Sequence, residues 1–147
     1  MADPIDVGSV GRSLPRRLGL KSGLIVLLVG LPEHLVETLL DPDYAWSHVA
    51  KDLDDLSPGL PPLDAALVFC RQAEQVGLAL NLLYGAFKPQ GFSWVAWTEA
   101  PAGPGLERPS LEQIRGAAEA LGLSGVTEER IDDDWQALKL VPQRASH

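Results

Sequence analysis

The polarity pattern is sharpest between residues 62 and 100, where it changes period twice. Residues 63–70 (LDAALVFC) form a short, almost unbroken apolar run. A run of that length reads as a strand covered on both faces, as in a parallel sheet. From Arg71 the period lengthens. Val76, Leu80, Leu83 and Phe87 fall on one helical stripe, with Arg71, Gln72, Glu74, Gln75 and Asn81 mostly off it. The predicted helix therefore spans 71–87. Lys88-Pro89-Gln90-Gly91 closes it, because proline disfavours the α conformation of the residue before it and glycine permits positive φ. Residues 92–97, rich in aromatics, read as the next strand. Parallel strands joined through a helix make a crossover unit.

The same reading extends outward. Residues 24–30 (LIVLLVG) are the most hydrophobic in the chain and are predicted to form the central strand. Pro32 suits the first position of a following helix, and Glu33 its positive end. Leu35, Val36, Leu39 and Leu40 continue that helix. Upstream, residues 14–20 predict a short helix with basic Arg16 and Arg17 outside, and Lys21-Ser22-Gly23 a turn. Residues 41–62 are the least regular, with a short strand or helical turn among Tyr44, Trp46, Val49 and Leu53. After a loop at 101–109, Ser110 and Gln113 make a capping box. The helix that follows is striped by Leu111, Ile114, Ala118 and Leu121 and ended by Gly122. Residues 125–131 and 135–141 alternate around Asp132-Asp133-Asp134 and predict an antiparallel hairpin. The expectation is a three-layer α/β domain over 14–144, its mainly parallel sheet closed by a C-terminal antiparallel hairpin. Residues 1–13 are expected to be a mobile arm and residues 144–147 a frayed end.

Composition narrows the chemistry. The 147 residues suit one domain, and a net charge of −8 argues against nucleic acid as a partner. A single cysteine, Cys70, excludes an internal disulfide and reads as a core thiol. The longest apolar run is far too short to span a bilayer, and the N-terminal residues lack a basic-then-apolar signal. A cytoplasmic protein without membrane contact is expected. His34, His48 and His147 show no metal-binding spacing, so no metal is expected. Asp132-Asp133-Asp134 reads as a solvated turn. Trp94 and Trp97 have opposite parity and point to opposite sheet faces. Core packing is the favoured reading for both, while one of them, with Trp135, is a candidate for a pocket or a dimer surface.

This order of elements resembles the second half of a Rossmann-like class I methyltransferase fold. The resemblance is carried by LDAALV at 63–68, FKPQGF at 87–92 and the closing hairpin. More closely, the chain is similar to a small bacterial family of unknown function with that fold. Its members open with Leu-Gly-x-Lys-x-Gly, here 18–23, and close with Trp-x-x-Leu-x-x-Val, here Trp135, Leu138 and Val141. The resemblance implies S-adenosylmethionine cradled on a glycine turn after the first strand, with an acid for the ribose hydroxyls after the second. The positions that match are Gly30 and Asp52 or Asp54. Departures are visible. Leu31 adds bulk after Gly30, Pro32 removes a backbone donor, and Glu33 occupies the helix end. Residues 46–51 make a poor strand, and 41–62 is too short for two strand–helix units. The favoured reading is therefore a non-catalytic methyltransferase-like domain without a cofactor, acting by protein or small-ligand binding. Its candidate pocket or interface residues are Leu31, Pro32, His34, Trp94, Trp97 and Trp135. One alternative is an S-adenosylmethionine-dependent methyltransferase on a small acceptor, with Gly30 and Asp52 or Asp54 at the cofactor. The other is a homodimeric structural module.

Overall fold

The computed structural model describes residues 13–53, 60–100 and 103–142. The expected arm, apart from Ser13, and the expected frayed end lie outside the described residues. The strands are β1 (Ile25–Val29), β2 (Trp46–Ala50), β3 (Leu63–Cys70), β4 (Phe87–Thr98), β5 (Leu123–Arg130) and β6 (Trp135–Pro142). The helices are α1 (Leu14–Arg17), α2 (Val36–Leu39), α3 (Ala73–Leu83) and α4 (Leu111–Ala120), with a 3-10 turn at Glu33–Leu35 leading into α2. Among the described residues the strands form one sheet in the order β2-β1-β3-β4-β6-β5. β2, β1, β3 and β4 run parallel. β6 is antiparallel to β4 and to β5. The architecture is the three-layer, mainly parallel α/β fold with a closing hairpin.

Alternation along β1 explains the layers. Leu27 and Val29 join Ala66, Val68, Val95 and Trp97 beneath α3 and α4. Val26 and Leu28 join Ala65, Leu67, Phe69 and Trp94 on the other face, under Leu14, Leu18, Leu35 and Leu39. Trp94 and Trp97 thus lie on opposite faces, as their parity requires. The second cover is thin, because α1 and α2 are four residues each.

Five local expectations need correction. β1 is not central: β3 and β4 hold the middle of the sheet. Hydrophobicity reports that both faces are covered, which is equally true one place from the edge. α3 ends at Leu83, and Gly85, at φ +82°, makes the turn. Phe87 and the Lys-Pro-x-Gly segment belong to β4, as a bulge. Leu63 pairs with Phe87 and Ala65 with Phe92, so β4 accommodates the extra residues outside the ladder. Gly91 is required there, since a Cβ would lie 2.8 Å from the Leu63 oxygen. Residues 46–50, judged a poor strand, form edge strand β2. Their polar positions face solvent, and one partner, β1, suffices. Pro32 precedes the helical segment in extended conformation rather than opening it. Only half of the predicted capping box forms. Ser110 Oγ accepts from the Gln113 amide at 3.1 Å, while the Gln113 side chain donates to Ala73 O at 2.8 Å and ties α4 to α3.

Two contacts lock the sheet. At the amino ends, Asp64 of β3 accepts from Ile25 N of β1 at 2.8 Å, and Lys88 Nζ of β4 lies 3.2 Å from its carboxylate. On the thin face, Trp94 Nε1 donates to Leu18 O at 2.8 Å. That bond seats the opening turn of the chain on β4.

Each lock has a measurable consequence. The Ile25 amide, then Lys88, hold the Asp64 carboxyl below its ordinary 3.8. A depressed folded-state pKa contributes stability above that value and loses it as pH falls through the folded pKa. The stability advantage of wild type over Asp64→Asn should therefore be full at neutral pH and shrink below about pH 4 in urea titrations. Trp94→Phe removes the donor to buried Leu18 O. It should lower unfolding free energy by about 1–3 kcal/mol, the cost of an unpaired buried acceptor, with the urea m-value unchanged.

Candidate functional site

The chain leaves β1 to form β2 on one side and returns to form β3 on the other. The sheet order therefore reverses direction between β1 and β3. In open α/β sheets the crevice outside the carboxyl ends at such a point is where ligands bind. A cleft of about 400 Å³ opens there. Ligand sites span roughly 300–1,000 Å³. Gly30 and Leu31 at the end of β1 form its centre. Lys51 and Asp52 close it on the β2 side, and Phe69, Arg71 and Gln75 on the β3 side.

Gly30 sits where β1 ends and the backbone turns left-handed, at φ +70°. A Cβ there would lie 3.0 Å from Phe69 O and 3.1 Å from Arg71 Nη1, so both conformation and space demand glycine. Its amide donates to Ala50 O at 2.9 Å, and its oxygen accepts from Arg71 Nη2 at 3.0 Å. Leu31 is a wall of the cleft, whereas Pro32 is buried and lines none of it. The predicted crowding of this turn is thus confined to Leu31, and the cleft beside Gly30 is open.

Asp52 lies just past the end of β2, on the cleft wall. The edge strand that the sequence concealed is what carries it there. Asp54 lies outside the described residues. His34 is exposed, off the cleft, with Nε2 2.7 Å from Asp132 Oδ2. Asp132 Oδ1 also accepts from the amides of Asp134 and Trp135 at 2.8 and 2.9 Å, closing the β5–β6 turn. Burial alone would raise the Asp132 pKa, but the His34 and backbone hydrogen bonds outweigh it and hold the carboxyl below its ordinary range. The triple-aspartate segment is therefore a structured turn docked to the segment after β1.

The three tryptophans proposed for a pocket or interface are buried. Trp94 is 1% exposed, Trp97 and Trp135 6% each. Trp135 packs edge-on against Phe69, with ring centroids 5.0 Å apart. It also lies under the Arg71 guanidinium, whose carbon is 5.1 Å from the ring centroid. Trp135 thus bears on the cleft through Arg71 without lining it.

Arg71 is the residue that sequence reasoning missed. The helical period places it off the apolar stripe, on the polar side of a helix. It instead directly follows β3, reaches across to Gly30 and stacks on Trp135 of the hairpin. Its one legible signal was position, an arginine directly after a strand buried on both faces. Burial draws its pKa down from the ordinary guanidinium value, as desolvation does to any cation. Neighbouring Cys70 is fully buried, its thiol pushed up to about 12, so it stays neutral. Among the described residues that line the cleft there is no Ser, Cys or His to act as a nucleophile. The arrangement suits binding, or transfer between two bound molecules, rather than a covalent intermediate.

No family model and no curated protein matches the chain. Solved structures do. The 1,6-didemethyltoxoflavin-N1-methyltransferase of Burkholderia thailandensis, with bound 1,6-didemethyltoxoflavin and S-adenosylhomocysteine, is 17% identical with a TM-score of 0.58. The match covers 89% of this chain and 75% of that one. A chain from the Haloferax volcanii complex of the Trm112 methyltransferase activator with a methyltransferase is 16% identical. Its TM-score is 0.59, over 91% of this chain and 88% of that one. A TehB-like SAM-dependent methyltransferase from Corynebacterium glutamicum is 15% identical with a TM-score of 0.56, over 88% and 85%. At these identities the likeness is one of architecture. The chain has the class I methyltransferase-like fold.

Proposed function

We propose that the cleft between the carboxyl ends of β1, β2 and β3 binds an S-adenosyl nucleoside, and that the protein is a small S-adenosylmethionine-dependent methyltransferase. The observation that carries this reading is the open space beside Gly30 with Asp52 at the end of the second strand. The residues fit the group. Gly30 presents no side chain to it, and Leu31, Val49 and Phe69 offer apolar wall. The Asp52 carboxylate can accept hydrogen bonds from ribose hydroxyls, the role an acid plays after the second strand of dinucleotide-binding units. When bound, the cofactor supplies a methyl group on a sulfonium centre. This chain's part is to hold and orient it, since the described lining offers no nucleophile. A small acceptor is in keeping with the Burkholderia neighbour, which holds a small heterocycle together with S-adenosylhomocysteine.

A second reading is a domain of this fold that has given up the cofactor and works through contact with another protein. What favours it is that both backbone polar groups of Gly30 are already taken, by Ala50 and by Arg71. The Haloferax neighbour, which comes from a complex with an activator protein, is in keeping with it.

Thermal unfolding separates the two. A ligand that binds only the native state at about 100 times its Kd stabilises by about 2.7 kcal/mol. For a chain of this length that is a rise in Tm of roughly 5–10 °C. S-adenosylhomocysteine should produce such a shift. Asp52→Ala should weaken its binding by about tenfold or more in calorimetry, the value of hydrogen bonds to a charged acceptor. An unchanged Tm at millimolar ligand would sink the first reading and leave the second.

A further inference from the structure

The cleft is polar in a directional way. Its β2 side carries Lys51 and Asp52, whose charges offset one another. Among the described residues its β3 side carries Arg71 and Gln75 and no acid. Arg71 donates to a neutral carbonyl, Gly30 O, and rests on the Trp135 ring. Among the described residues no carboxylate forms an ion pair with it. The Gln75 carboxamide oxygen is taken by the amides of Arg71 and Gln72, at 2.6 and 3.0 Å, which leaves its NH2 group as a donor. In a protein of net charge −8, the side chains at this end of the cleft present a cation and an amide donor. A guanidinium held by a neutral oxygen and an aromatic face keeps donors in a planar fork that suits a carboxylate.

We propose that Arg71 is the anchor for a carboxylate at the β3 end of the cleft ligand. The ligand lies with its hydroxyl-bearing part toward Asp52 and its acidic end toward Arg71. β2 and β3 flank β1, so the two ends stand two strand spacings apart, roughly 10 Å. This rests on the reading of the cleft as an S-adenosyl nucleoside site, and it assigns to Arg71 the amino-acid end of that molecule. The guanidinium donates to the carboxylate from its present seat on Gly30 O. Arg71 is thus a specificity residue for ligands that carry the acid.

The test compares S-adenosylhomocysteine with 5′-methylthioadenosine, which has the same nucleoside and no amino acid. Both are titrated calorimetrically into wild type and Arg71→Gln. Arg71→Gln should lose about tenfold or more in affinity for S-adenosylhomocysteine, the loss of a charge-assisted pair. Its affinity for methylthioadenosine should be unchanged. Arg71→Lys, which keeps the charge without the fork, should fall between, and it carries the same comparison if Arg71→Gln does not fold. Equal S-adenosylhomocysteine affinity in wild type and variant would overturn the assignment while leaving the proposed function standing. Binding of neither nucleoside by wild type would overturn both. Adenosine 5′-monophosphate is the third ligand. Arg71-dependent binding of it, with no Arg71 effect on S-adenosylhomocysteine, would make the anion a phosphate and overturn the carboxylate assignment.

Discussion

A strand covered by side chains on both faces can satisfy its backbone only through the strands beside it. β3 is that strand here. Every residue of it except Asp64 is buried. Its amides and carbonyls must therefore be met by β1 and β4, and both meet them in parallel register. Parallel partners place all their carboxyl ends on one side of the molecule. The chain has to cross back each time, which sends α3 to one face. It also leaves the ends of β1, β2 and β3 side by side, where the cleft opens. Asp64, the one polar interruption, sits at the opposite end and bonds β1 and β4 together there.

At the carboxyl side the ladder stops, and its unpaired groups shape the site. Val29 is the last β1 residue in register with both neighbours, opposite Ala50 and Val68. One residue later the Gly30 amide still finds Ala50 O, but its oxygen has no strand to meet. The Arg71 guanidinium takes that place. A charged side chain thus performs a hydrogen bond that a backbone amide would otherwise make, and its charge stays within the cleft. The hairpin completes the arrangement. Trp135, at the first position of β6, supports both Phe69 and Arg71. The antiparallel end of the sheet, far from the cleft in sequence, is in this way tied to it through Arg71 and Phe69.

The thin face of the sheet is held by discrete bonds as well as packing. Tyr44 Oη donates to Leu39 O at 2.7 Å, and burial raises the Tyr44 pKa so that the phenol stays protonated to do so. Arg17 reaches from α1 to Glu129 and Arg130 O on the hairpin. The exposed pair of His34 and Asp132 is worth about 1 kcal/mol or less by itself. Its effect is positional, since it joins the segment after β1 to the turn that presents Trp135.

Alternation and run length by themselves determined that residues 63–70 form a doubly buried strand, that Trp94 and Trp97 part company across the sheet, that Ser110 starts a helix and that the chain ends in a hairpin. These are local consequences of period, and period survives in one dimension. The bulge at 88–91 was hidden because Phe87 fits a helical stripe as well as a strand. Only the pairing of Leu63 with Phe87 and Ala65 with Phe92 decides between them. β2 was hidden because an edge strand with one solvated face carries little of the apolar signal on which strands are recognised. With it was hidden the fact that Asp52 stands at a carboxyl end beside Gly30. Arg71 was least legible of all. What it does is set by where Gly30 and Trp135 arrive, forty-one residues before it and sixty-four after it, and only the closed sheet brings those positions within reach of one guanidinium.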